Sequence, residues 1–175
     1  TWLRAVRKER LLVLKRVGWP LTIIALGGIG YFLWTHFGLK TYHHRHPDFS
    51  IRVKYPWTVT ETGTADGGQI VFKDAQGQQV LVVSYLQVPG VSEQTLGSYA
   101  DALFKQFGFD KTKDYYPEKV NMDGTTGYLL REKGRDPDKP ATVLAYKGNY
   151  LFRFEAAKQR NVLRATDAFK SSEGS

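Results

Sequence analysis

Histidine is the side chain with the clearest capacity for chemistry in this 175-residue sequence, which contains no cysteine. Three of the four histidines stand together, at His43, His44 and His46, and imidazole nitrogen is a common ligand of zinc and copper. Adjacent side chains project in different directions, and no second ligand cluster follows them. The three histidines are therefore candidate metal ligands, and a solvated linker is the competing interpretation.

The fourth histidine, His36, is the one ionisable residue in an apolar run at residues 17–39. An ionisable residue inside an apolar segment is a functional hypothesis, because a neutral imidazole can bind the magnesium of a chlorin or a haem iron. The alternative is an interfacial histidine that hydrogen-bonds to lipid headgroups or to a partner. His36 is thus a candidate contact for a chlorophyll-type pigment, although no cofactor is required.

The rest of the chain offers little chemistry, because every histidine precedes Asp48. Without histidine or cysteine, the usual nucleophile–base pairs and metal sites are missing from the sequence after that point. Asp136 and Asp138 lie in the loop GRDPDKP between basic neighbours, a pattern typical of solvated turns. We predict no catalytic residues and expect that the protein is not an enzyme.

The histidines are positioned by the apolar run, which has no Lys, Arg, Asp or Glu over residues 17–39. About twenty apolar residues match the hydrocarbon thickness of a bilayer at the helical rise, so the run predicts a single transmembrane helix. A signal peptide and a buried helix are the alternatives. Gly27, Gly28 and Gly30 remove side-chain bulk from its middle, and together with Trp34 they form the predicted surface for packing against a partner helix.

Charge is concentrated before and just after this run. Residues 1–46 hold eight basic side chains against Glu9, whereas residues 47–175 hold seventeen basic and sixteen acidic side chains. This distribution argues for a membrane surface and against nucleic acid. By the positive-inside rule the N-terminus is cytoplasmic and the later residues are periplasmic or lumenal. The predicted contacts with the membrane surface are Arg4, Arg7, Lys8, Arg10, Lys15 and Arg16.

The chain therefore divides into a basic arm at 1–16, a span at 17–39, a juxtamembrane linker at 40–47, a globular domain at 48–172 and a tail at 173–175. Alternating patterns and turn signals predict an α+β domain with an antiparallel sheet. Apolar periodicity predicts two helices, one from Leu96 to Phe107 and one over Asn161–Lys170. The predicted strands are Phe49–Val53, Trp57–Thr62, Gln69–Lys73, Val80–Val88, Tyr115–Val120, Gly127–Lys133, Thr142–Lys147 and Tyr150–Glu155.

Several local signatures in this order resemble the PsbP family, the extrinsic lumenal subunits of photosystem II, and bacterial relatives of the DcrB type. The resemblance covers nearly all of residues 48–172. It implies an α–β–α sandwich on an antiparallel sheet and an accessory role without catalysis. The motifs that carry it are FSIRVKYPWTVTE (Phe49 to Glu61), IVFKD (Ile70 to Asp74), LGSYADALFKQF (Leu96 to Phe107), MDGTTGYLLRE (Met122 to Glu132) and LAYKGNYLFRFEA (Leu144 to Ala156).

We therefore expect a bitopic protein of an inner or photosynthetic membrane that acts as a scaffold. Its partners would be the lipid bilayer and the subunits of a membrane complex, and the resemblance implies a reaction-centre or light-harvesting assembly with pigments nearby. Two alternatives stay open. One is a membrane-anchored module that binds a small ligand or a peptide, and the other is a subunit that holds a pigment or metal through its histidines.

Overall fold

The strands and helices of the chain come from a computed structural model that describes residues 26–33, 38–90, 92–106, 115–132 and 136–171. The chain forms two units, Thr1–Gly38 and Leu39–Ser175. Residues 26–33 of the first unit are helical and are called α1. In order, the second unit contains β1 (Leu39–Arg45), β2 (Asp48–Lys54), β3 (Thr58–Thr64), β4 (Gly67–Lys73), β5 (Gln79–Gln87), α2 (Glu93–Gln106), β6 (Tyr115–Met122), β7 (Thr125–Glu132), β8 (Ala141–Lys147), β9 (Tyr150–Ala156), α3 (Gln159–Asp167) and β10 (Lys170–Ser171).

The described strands of the second unit form two antiparallel sheets. The larger has seven strands in the order β3-β4-β5-β9-β8-β7-β6, and the smaller has the order β1-β2-β10. A two-residue turn connects β6 to β7, and its Asp123 and Gly124 both have positive φ, 50° and 79°, as this type of hairpin turn requires. The predicted antiparallel sheet is confirmed, and the predicted strands are present with bounds that differ by two residues at most.

One face of the seven-stranded sheet packs against β2 and α3. Phe152 of the sheet lies 5.3 Å from Phe49 of β2 and 5.2 Å from Phe169, which follows α3, measured between ring centroids. All three side chains are at most 2% exposed. Aromatic rings at these separations add a favourable edge-to-face interaction to a large buried apolar area. These three rings, which we call the Phe49–Phe152–Phe169 cluster, join the two sheets and α3.

The opposite face of the large sheet is covered by α2. Leu96 and Ala100 of the helix pack with Leu130 and Leu144 of the sheet. Tyr99, on the same helix, is 46% exposed. The domain has the layers of an α–β–α sandwich, with the three-stranded sheet added beside α3.

The predicted domain boundary at Asp48 and the predicted linker at residues 40–47 are wrong. Leu39–Arg45 is a strand that pairs with β2 over its whole length, from Leu39 opposite Lys54 to Arg45 opposite Asp48. Pro47, with a cis peptide bond from His46, lies in the turn of this hairpin. Pairing satisfies the backbone groups that a linker would leave to water. The proline therefore marks a turn inside the domain, and Leu39 belongs to a strand rather than to the predicted span.

The helix predicted for Asn161–Lys170 ends earlier, at Asp167. The chain then turns so that Lys170 pairs with Ser50 and Ser171 pairs with Phe49 of β2. The Asp123 carboxylate holds this C-terminal strand in place. Its Oδ2 accepts hydrogen bonds from the Ser171 N–H at 3.1 Å and from the Lys147 ammonium at 2.6 Å. The hydrogen bond from Lys147, then that from Ser171, hold the pKa of Asp123 below its ordinary value.

The predicted transmembrane helix is covered only in part by the described residues. All residues of α1 are exposed, and no described helix has both the length and the apolar character that a membrane span needs. Residues 17–25 and 34–37 of the predicted span lie outside the described residues, as do the predicted arm at 1–16 and tail at 173–175. The span therefore stays a prediction.

Replacing Asp123 with Asn should destabilise the domain in a pH-dependent way. Because the folded pKa is depressed, the carboxylate contributes stability above the unfolded value of about 3.9, and this contribution is lost as the pH falls through the folded pKa. At neutral pH we expect a loss of about 1 kcal/mol in the free energy of unfolding, since the site is partly exposed. Denaturant titrations of the full chain at several pH values measure the free energy of unfolding and its dependence on pH.

The control for this prediction is Asp66→Asn, which changes an exposed aspartate in another turn. It should leave both the stability at neutral pH and its acid dependence close to those of the parent chain. If Asp123→Asn retained the parent's dependence on pH between about 5 and 2, the carboxylate would not anchor the C-terminal strand as described.

Candidate functional site

Several predicted site residues lie outside the described residues, so their predicted roles stay predictions. They are His36, the candidate cofactor ligand; Trp34, the candidate packing residue; and the basic residues predicted to contact the membrane, Arg4, Arg7, Lys8, Arg10, Lys15 and Arg16.

The three predicted packing glycines all lie on α1. A methyl group placed on Gly27, Gly28 or Gly30 would meet nothing within 4 Å outside the helix itself. The large apolar side chains beside them are exposed, among them Leu26 at 64% and Ile29 at 56%. The helix therefore presents apolar side chains next to uncovered backbone, which permits the close approach of a second helix.

The three candidate metal ligands are not arranged as a metal site. His43 and His44 are successive residues of β1, so their side chains project to opposite faces of the strand. His44 is only 8% exposed, and its Nδ1 lies 2.9 Å from the carbonyl oxygen of Pro47. Within the described part of the chain, no three His, Cys, Asp or Glu side chains lie close enough together to hold a metal ion. The histidine cluster of the sequence is thus divided by its strand.

His44 instead belongs to a polar cluster that joins the two sheets. Its ring lies 5.0 Å from that of Tyr85, and its Nε2 is 3.9 Å from Oε2 of Glu61 on the edge strand β3. Tyr42, which is also on β1, donates a hydrogen bond to the other carboxylate oxygen of Glu61. We call these residues the Tyr42–His44–Glu61 cluster. With Nδ1–H donating to the Pro47 carbonyl oxygen, Nε2 of His44 faces the Glu61 carboxylate.

The electrostatics of this cluster favour neutral tyrosines. Burial raises the pKa of Tyr42 well above its ordinary range, and the hydrogen bond to Glu61 and its negative charge raise it further. The pKa of Tyr85 is raised by burial and then by the charge of Glu61. A buried phenol whose pKa is raised cannot serve as a base near neutral pH. The hydrogen bond from Tyr42 and the close approach of His44 to Glu61 fasten β1 to β3.

The carboxylates considered as a possible pair, Asp136 and Asp138, lie in an exposed turn. Oδ1 of Asp136 accepts the backbone N–H of Asp138 at 2.9 Å, and Oδ1 of Asp138 lies 3.2 Å from Nη2 of Arg160. Both side chains are thus occupied by the turn and by a neighbouring cation, as expected for solvated turn residues.

A groove of about 800 Å³ lies between α3 and the outer face of the three-stranded sheet. On the sheet side, Thr41 stands opposite Arg52 in the β1–β2 pairing, and Ser50 stands between His43 and Lys170. Directly opposed residues of an antiparallel sheet share a face. All five line the groove, and all but Ser50 are exposed.

On the helix side, the groove is lined by Arg160, Leu163, Arg164 and Asp167. These four positions have the i, i+3, i+4, i+7 spacing of one helix face, and the other face of α3 buries Val162 and Ala165 in the core. We call the whole surface the basic groove. The groove was not predicted from the sequence, because alternation in DFSIRVK and the spacing of the α3 arginines indicate exposed faces but do not show that packing brings those faces together.

Comparisons with known proteins identify the fold. No family model and no curated protein matches the sequence. Among solved structures, the chain is similar to the solution structure of cyanobacterial PsbP (CyanoP) from Synechocystis sp. PCC 6803. The TM-score is 0.54 at 13% sequence identity, and the match covers 76% of this chain and 92% of that chain. The globular domain therefore has a PsbP-like fold, as the sequence motifs implied.

Replacing Glu61 with Gln should lower the pKa of Tyr42 and of Tyr85. The substitution removes the negative charge that opposes tyrosinate formation, but burial remains, so the pKa of Tyr42 should stay above the ordinary value of about 10. Carbon-13 NMR of labelled tyrosine rings during an alkaline titration measures this, with Tyr42→Phe used to assign the resonance.

The control is Glu118→Gln. Glu118 lies on β6, which is the opposite edge of the large sheet from β3, so neither tyrosine should respond. An unchanged titration of Tyr42 in Glu61→Gln would show that the carboxylate does not hold this phenol.

Proposed function

We propose that this chain is a non-catalytic accessory subunit of a membrane protein complex. One observation carries the proposal: a PsbP-like domain follows, within the same chain, an apolar stretch without charged residues at 17–39. The domain supplies an extramembrane body, and the stretch supplies attachment to a bilayer. In this arrangement the N-terminus is cytoplasmic and the domain stands on the periplasmic or lumenal side.

The exposed surface of α1 supports attachment to other helices as well as to lipid. An apolar helix whose large side chains are exposed must be covered by lipid or protein, and three glycines in four positions allow another backbone to come close. In the proposed function, specificity for the complex lies at least partly in this helix. The basic arm at residues 1–16 would add contacts with the anionic inner leaflet.

A photosynthetic reaction-centre or light-harvesting assembly is the partner that the family resemblance suggests. This suggestion is an analogy with the family, because one fold supports many functions. Two properties separate this chain from the extrinsic PsbP subunits of the resemblance. It contains its own apolar segment, and most of its net positive charge precedes the domain.

Of the two alternative functions, the ligand-binding module receives less support from the geometry. A module that encloses an apolar ligand needs a cavity between the large sheet and a helix, but the Phe49–Phe152–Phe169 cluster and the buried Trp57 occupy the core between the large sheet and α3. A pigment-bearing subunit that uses His36 is the second candidate. It predicts an absorption band that disappears in His36→Ala, whereas the accessory role does not require one.

The proposal predicts the effect of filling the glycine surface of α1. In the full chain, Gly27→Leu, Gly28→Leu and Gly30→Leu together should keep the protein in the alkaline-resistant membrane fraction, because leucine favours the bilayer. The yield of the co-purified complex should fall by roughly tenfold, since close helix packing contributes on the order of 1–2 kcal/mol. Affinity purification in mild detergent with quantitative mass spectrometry measures the yield.

A matched control exchanges apolar residues of similar volume on the same helix, Ile29→Leu with Leu33→Ile. It should change neither membrane retention nor the yield of the complex. Undiminished co-purification of the leucine variant would place the specificity elsewhere, and release of the parent chain at alkaline pH would overturn the membrane span.

A further inference from the structure

The basic groove is a local excess of positive charge on a domain with a small net charge. Residues 39–175 contain nineteen basic and sixteen acidic side chains, yet the charged residues that line the groove are Arg52, Arg160, Arg164 and Lys170 against Asp167. Strand pairing and the helix face assemble these cations from separate parts of the chain. Such a concentration attracts anions, and guanidinium groups bind phosphate oxygens through paired hydrogen bonds.

Nearby carboxylates neutralise the groove only in part. Oδ1 of Asp138 lies 3.2 Å from Nη2 of Arg160, but Asp138 also faces Lys158 at 3.9 Å. Arg52 and Lys170 are exposed, and Arg164 is half-buried. Arg52, Arg164 and Lys170 therefore provide the cationic side chains best suited to hold an anionic group.

The position of the groove along the chain indicates the source of that anion. Leu39 lines the groove, is 46% exposed and is the first residue of the globular unit. It directly follows Gly38, where the part of the apolar stretch outside the globular unit ends. In the proposed function, Leu39 is therefore close in sequence to the span and within reach of the lipid headgroups. Leu39 and Leu163 add apolar surface beside the cations, which suits a headgroup attached to a glycerol backbone.

We propose that the basic groove binds the anionic headgroup of a lipid in the outer leaflet, with Arg52, Arg164 and Lys170 around its phosphate. This inference rests on the proposed function for its location at the membrane. It adds a second attachment on the far side of the bilayer from the basic arm. Lipid binding here would orient the domain against the membrane, because the site lies beside the point where the chain enters the domain.

The test uses the full chain in micelles of a neutral detergent, with the six arm cations replaced by Gln so that only the domain responds. Short-chain phosphatidylglycerol is titrated in while hydrogen–deuterium exchange is followed in β1, β2 and α3. Phosphatidylcholine of the same chain length and inorganic phosphate are titrated in parallel. We expect phosphatidylglycerol to slow exchange at the groove at concentrations where the other two have no effect.

The decisive variant is Arg52→Gln with Arg164→Gln. At about 5-fold per cation, the pair should weaken the apparent affinity for phosphatidylglycerol by about 25-fold. The matched control, Lys73→Gln with Lys119→Gln, removes two exposed cations that do not line the groove and should change it by less than about two-fold. Unchanged far-UV circular dichroism confirms that each variant is folded, and Lys170→Gln provides a single-residue test.

Three results would overturn the inference: equal weakening of the lipid affinity by the two double variants, inorganic phosphate binding as tightly as the lipid, or protection of the groove only by an acidic protein of the complex.

The proposed function is tested separately by alkaline extraction of membranes. If the chain were extracted while phosphatidylglycerol still protected the groove, the span would be wrong and the lipid site would stand. If the chain stayed in the membrane without lipid protection, only the lipid site would fail.

Discussion

The Phe49–Phe152–Phe169 cluster is the packing constraint on which the rest of the domain depends. It joins the seven-stranded sheet, the three-stranded sheet and the segment after α3 around side chains that are almost fully buried. Once β2 turns Phe49, Ile51 and Val53 inward, its alternate residues must face outward. The same constraint that closes the core therefore fixes the outer face of the small sheet.

The polar surfaces follow from that arrangement. On one side of β1, Tyr42 and His44 meet Glu61 and fasten the small sheet to the edge of the large one. On the other side, Thr41 and His43 line the basic groove with α3. A single strand thus places His44 in a buried structural contact and His43 on the exposed surface of the basic groove. Alternation along a strand, rather than proximity in sequence, decides which groups act together.

Sequence patterns predicted the sheet well because its strands alternate regularly between strong turn signals, as at Asp123-Gly124. The sequence patterns gave a wrong prediction at residues 39–47. Three histidines and a proline are typical of a linker there, but the residues form β1 and the turn to β2, and strand pairing is a tertiary property. The patterns also extended α3 to Lys170, because helical spacing does not reveal that Ser171 is held by Asp123. The basic groove was not predicted for a related reason, since Arg52 and Arg164 are 112 residues apart in the chain and line the same groove only because of packing.

The central claim is that a PsbP-like domain is carried on a membrane complex by its own chain. The most direct measurement is purification of the tagged full chain from its native membrane in mild detergent, with identification of every co-migrating protein and an absorption spectrum of the eluate. The account predicts a stoichiometric membrane complex, with pigment bands if the partner is photosynthetic. Recovery of the chain alone, or only with proteins that have no membrane-embedded subunit, would contradict it.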